Sequence, residues 1–132
     1  MNEIDLYHKL MADLNLLQLP ITEVEVEFRP YSKTYYGRYF PKNIKRDTPR
    51  IFVYPYENTN GEFIPYDKVL ETAIHEFIHH LQYSDHNFKR KKGIMHDPSF
   101  WKLYNHYIKR ADSYDMLEVS KYEHKADVEQ TT

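Results

Sequence analysis

The chain of 132 residues contains no cysteine. That excludes disulfide bridges and any zinc ribbon built on thiolates. No stretch is apolar for long enough to cross a bilayer. The opening run, MNEIDLYHKLMADLNLLQL, is acidic throughout and lacks the basic start and continuous apolar core of a signal peptide. These absences point to a cytoplasmic chain with no membrane association. Internal repeats and linkers are missing too, so residues 1–132 are expected to form one domain, monomeric by default, with an acidic tail over 113–132. The net charge of −2 excludes a general polycation. Charge is nevertheless segregated. Arg29 to Arg50 holds seven Lys or Arg against one Asp, a net of +6, and Lys89, Arg90, Lys91 and Lys92 add +4.

Apolar periodicity divides the chain into six elements. Residues 3–18 form an amphipathic helix with Ile4, Tyr7, Leu10, Met11, Leu14 and Leu17 on its core face and Asn2 as cap. Glu23-Val24-Glu25-Val26-Glu27-Phe28 alternates with the period of a half-buried strand. Thr34 to Phe40 and Arg50 to Tyr54 read as two more strands. Short links make an antiparallel three-stranded meander the simplest pairing. Val69 to Tyr83 follows as a helix with Asp67 as its cap. Asp97-Pro98 opens the last helix, with Phe100, Leu103, Tyr104, Tyr107, Ile108 and Ala111 on one face. The fold class is therefore α+β.

The helix beginning at Val69 carries His75-Glu76-Phe77-Ile78-His79, an H-E-x-x-H motif. Two histidines four residues apart stand one above the other on a helix, so both ring nitrogens can reach one Zn²⁺. Glu76 lies about 100° round the helix, where it reaches water beside the metal rather than the metal itself. The helix is also the most apolar in the chain, and unpaired imidazoles there would be costly. His80 points away from His79 and reads as a surface residue. His106 reads as part of a solvated helix face, and Met116 as packing.

A catalytic zinc takes three protein ligands and keeps one position open. His96, directly before the Asp97-Pro98 cap, is the best third ligand, because a rigid helix start would hold it. Glu123 is the runner-up, in the E-x-x-A-D pattern Glu123-His124-Lys125-Ala126-Asp127. The H-E-x-x-H run, His96 seventeen residues after His79, and Phe100-Trp101 beyond it resemble the SprT/Spartan-like zincin metallopeptidases. The strand-like segments Lys33 to Tyr39 and Arg50 to Val53 resemble those preceding that family's active-site helix. The likeness covers roughly residues 20–112, with Asp97 where the family usually has Gly and without the cysteine zinc module that its DNA-directed members often append.

The resemblance implies a zincin-like fold and a zinc metalloendopeptidase acting on protein substrates. In that reading His75, His79 and His96 hold zinc and Glu76 is the general base. Tyr83, one turn beyond His79, reads as a rim tyrosine. The two basic segments, with Tyr31, Tyr35, Tyr36 and Tyr39 interleaved in the first, make single-stranded DNA a candidate partner, with Lys89, Arg90, Lys91 and Lys92 as contacts. The competing expectation is a nucleic-acid-binding or interaction module in which zinc only stabilises the fold.

Overall fold

The computed structural model describes residues 1–85 and 96–118. Among these described residues, three helices and three strands follow one another as α1 (Glu3–Leu16), β1 (Glu25–Phe28), β2 (Gly37–Phe40), β3 (Arg50–Val53), α2 (Tyr66–Ser84) and α3 (Pro98–Ser113). The α+β class is as expected. Each strand is shorter than the segment expected for it.

The sheet is not an antiparallel meander. Its order is β1-β3-β2, with β1 parallel to β3 and β2 antiparallel to it. β3 takes the centre because it alone buries both inward residues completely, Ile51 and Val53. The connection over 29–36 steps across one strand width, and the loop over 41–49 brings β3 back into the gap. Backbone bonds beyond the strand ends extend both pairings, from Arg29 N–H to Val53 O at 2.9 Å and from Tyr54 N–H to Tyr36 O at 2.8 Å. Among the described residues, β2 is thus an edge strand.

α1 begins as its cap predicts, with the Asn2 side chain accepting from Asp5 N–H at 2.8 Å. Its core face is the expected one at Tyr7, Leu10, Met11, Leu14 and Leu17, and differs at Ile4. Leu6 is 3% exposed while Ile4 is 66% exposed, so Leu6, Leu10 and Leu14 form the seam. The Tyr7 hydroxyl donates to Val26 O at 2.8 Å and sets the helix against β1. At the other end, Arg110 of α3 donates to Leu17 O at 2.9 Å, meeting a carbonyl that the helix end leaves open.

α2 is the axis of the molecule. Val69, Leu70, Ala73, Ile74, Phe77 and Ile78 are fully buried, against the sheet on one side and the other helices on the other. Asp67 does not cap it. The helix starts two residues earlier than that cap would set it, at Tyr66 after Pro65, which offers no side-chain acceptor. Asp67 is instead buried in the first turn and accepts from Glu118 N–H at 2.8 Å, tying down the segment after α3. α3 starts as expected, with the Asp97 carboxylate accepting from Phe100 N–H at 2.9 Å and Pro98 in the first turn. Phe100, Tyr104, Ile108 and Ala111 face the core, and Met116 packs against it. Among the described residues, no helix is long and apolar enough to cross a membrane.

Candidate metal centre

His75 and His79 leave α2 on one face, as their four-residue spacing requires. His96 comes in from the residue before the α3 cap. Its Nε2 lies 3.1 Å from His75 Nε2 and 3.2 Å from His79 Nε2. These three side chains lie close enough together to bind one metal ion. A ring nitrogen carries either one proton or one lone pair, so a single Nε2 makes poor hydrogen bonds to two others at once. Three lone pairs aimed at one cation fit the same positions well. Tetrahedral ligation at 2.0–2.1 Å separates neighbouring nitrogens by about 3.3 Å.

The surroundings favour the neutral form of two of these rings, His75 and His96, as ligation demands. Burial, then the neighbouring His79, His96 and Lys68, pushes His75 down to about 3. Burial lowers His96 as well, although it is the most exposed of the three. Phe100, fully buried, forms an apolar floor. Its ring centre is 4.8 Å from His75, 4.8 Å from His79 and 4.7 Å from His96. Trp101 closes the side at 6.0 Å from His75 and 5.7 Å from His96. Such an apolar shell limits solvent access and lowers the local dielectric.

What holds His96 in place is a polar chain joining the two helices. Gln82 of α2 donates to Ser99 Oγ at 2.9 Å, and Ser99 donates to Asp97 Oδ1 at 2.7 Å. Asp97 in turn caps α3. These bonds to its side chain and from the Phe100 amide hold the Asp97 carboxyl below its usual range. The cap was legible from Asp97-Pro98; Gln82 and Ser99 carried no signal of their own.

Glu76 is 7% exposed, and burial pushes its carboxyl up to about 8. It lies against Gly37 of β2, and both line two adjoining cavities. One, of about 600 Å³, is walled by Tyr35, Arg38, Tyr39, His79, Gln82 and Tyr83 among others. The other, of about 260 Å³, includes Lys68, Thr72, His75 and Tyr104. The carboxyl therefore stands midway along a cleft between the edge strand and the helix bearing two of the histidines. A carboxyl with its affinity for protons raised toward neutrality suits general-base work.

His80 is not a surface residue. It is 3% exposed, and its Nε2 meets Glu23 Oε1 at 2.9 Å while its Nδ1 meets the Tyr39 hydroxyl at 2.8 Å. A carboxylate only accepts, so Nε2 donates to Glu23. In the neutral ring Nδ1 then accepts from Tyr39. The apolar pattern of α2 accounts for one buried face; the sheet covers a second, which the pattern could not disclose. The chain Glu23–His80–Tyr39 joins β2 to α2 immediately beside His79. Tyr83 is 55% exposed at the cleft rim, and His106 lies on a solvated face against Arg110.

Lys89, Arg90, Lys91 and Lys92 lie outside the described residues, as does Glu123. No protein-family model matches this chain, and no curated protein matches it in sequence.

Proposed function

We propose that the protein is a zinc-dependent metalloendopeptidase of zincin type, similar to the SprT/Spartan-like peptidases. The observation that carries this reading is the convergence of His75, His79 and His96, with the buried Glu76 lining an open cleft together with His75 and His79. A site that only stabilised the fold would have no use for a carboxyl of raised proton affinity facing a cavity.

When bound by the three histidines, zinc supplies Lewis acidity, polarising a scissile carbonyl and acidifying water. Glu76 takes the proton from the attacking water and passes it to the departing amine. Phe100 and Trp101 give the ligand rings an apolar floor and side wall, and the Gln82–Ser99–Asp97 chain holds His96 in register. Among the described residues β2 has an edge without a strand partner, along which an extended polypeptide can lie across Glu76.

The test is metal analysis with a protease assay on the wild type and Glu76→Gln. The variant should keep fold and zinc and lose cleavage by at least about a hundredfold, as removal of a general base does. Normal cleavage by Glu76→Gln would sink the mechanism.

A nucleic-acid-binding module with a structural zinc is the second reading. One observation favours it: Tyr31, Tyr35 and Tyr36 are exposed near the cleft, with Lys68 over Tyr36 at 4.7 Å. Single-stranded DNA binding that weakens steeply with salt would support it, as would full zinc content with no cleavage of any protein.

A further inference from the structure

The core lies against one face of the sheet. Val26 of β1 and Ile51 and Val53 of β3 turn into it, while Gly37 and Tyr39 of β2 face α2. Alternation therefore sends Glu25 and Glu27, Arg38 and Phe40, and Arg50 and Phe52 to the outer face. Phe40 and Phe52 meet edge to face at 4.9 Å, and neither packs against the core. Arginines lie over these rings. The guanidinium carbons of Arg38 and Arg46 are 4.7 Å and 5.4 Å from the centre of Phe40, and that of Arg29 is 5.0 Å from Phe52. Towards the sheet edge, Arg38 is also 4.4 Å from Tyr35, whose ring lies 6.0 Å from Tyr54. Along β1 the carboxylates are matched, Glu27 by Arg29 at 3.0 Å and Glu25 by Arg50 at 3.2 Å. On the β2 side, Arg38 and Arg46 have no carboxylate partner among the described residues. A recess of about 370 Å³ beside Arg46 adds Lys45 and Arg50 against Glu25 and Asp47.

We propose that this outer face of the sheet binds single-stranded nucleic acid, on the side away from the metal cleft. Aromatic rings and planar guanidinium groups set side by side suit unpaired bases, whose flat surfaces a duplex would hide. The rings hold the guanidinium groups in place, so little further ordering is needed, and leave their N–H groups for phosphates. An acidic polypeptide would match the charges alone and leave the rings idle. The inference shares its ligand with the second reading above but not its place. It stands with or without peptidase activity in the cleft.

The probe is fluorescein-labelled oligo-dT of about fifteen nucleotides, titrated by anisotropy into zinc-loaded Glu76→Gln protein at several salt concentrations. The logarithm of the binding constant should fall with that of salt at a slope of about −2 to −3, as three or four phosphate contacts would give. Arg29→Gln combined with Arg46→Gln should weaken binding at least about tenfold at low salt and reduce the slope by about 1.4. Phe40→Leu should weaken it about fivefold or more and leave the slope unchanged, since a ring is lost but no charge. Misfolding would not separate the two effects, and retained zinc checks folding in each variant. Oligo-U of the same length tells RNA from DNA as the preferred polymer. A parent that does not bind, or binds without salt dependence, overturns the inference. So does an unchanged affinity in the arginine variant, or a duplex or polyglutamate bound as tightly as oligo-dT. Binding lost in Lys68→Gln with Tyr36→Leu, yet normal in the arginine variant, overturns the outer face and keeps the second reading. Outer-face binding with cleavage by the wild type keeps both the inference and the peptidase; outer-face binding without any cleavage keeps the inference alone.

Discussion

Gly37 lies so close to Glu76 that a Cβ added to it would stand 3.1 Å from Oε2 of the carboxyl and 2.6 Å from Cγ2 of Thr72. The absence of a side chain at Gly37 is what lets the edge strand sit against the residue assigned as general base. Gly37→Ala should therefore push β2 away from α2 and cost about 1–3 kcal/mol, as overpacking does. Cleavage should fall by at least about tenfold, because a misplacement of even 1 Å is expensive in a catalytic site. Zinc should be retained. Adding Thr72→Ser, which removes the nearer obstacle, should restore part of both losses; melting curves and peptide cleavage together check this.

The three histidines should each be needed for the metal. About one zinc per chain is expected from elemental analysis, lost when His75, His79 or His96 becomes Ala, since each supplies a third of the protein's ligands. Full zinc in His96→Ala, combined with loss in Glu123→Ala, would pass the third position to Glu123.

Stripped of metal with a chelator, the protein should show the cost of burying Glu76. The folded carboxyl sits at about 8 against an ordinary value of 4.5. Above 4.5 the unfolded chain gives up this proton while the folded chain keeps it, so stability falls as pH rises toward 8. His75 acts in the opposite sense: held at about 3 against an ordinary 6.5, it removes stability as pH falls below 6.5. Between pH 6.5 and 8 the Glu76 effect is therefore isolated. Melting temperatures of the stripped wild type should decline across that window, and those of stripped Glu76→Gln should decline much less. Equal slopes would show that Glu76 ionises freely in the folded protein.

Tyr39→Phe should test the bond between strand and helix. It strands His80 Nδ1, which is buried, without its donor. An unsatisfied buried polar atom costs about 1–3 kcal/mol, measurable as a shift in the urea midpoint. Zinc content should not change, because His79 reaches the metal site independently. A midpoint equal to wild type would mean that water replaces the hydroxyl.

Sequence alone determined the parts of this protein that depend on near neighbours in the chain. His75 and His79 share a face because four residues make about one helical turn, and that holds in any surroundings. Asp97-Pro98 starts α3 because the aspartate side chain meets an amide three residues on. His96, directly before that start, could be nominated for the same reason. Only the tertiary structure decided what depends on partners far away. Alternation along β1 disclosed which side is buried but not that β3 would pair with it in parallel, since either neighbour satisfies the same alternation. Sequence places His80 at the surface because its partners, Tyr39 and Glu23, lie 41 and 57 residues away. Gly37 likewise has its meaning only from Thr72 and Glu76 across the cleft. Backbone geometry is written locally, whereas burial and contact arise when separate elements meet, and a single sequence does not state which of them do.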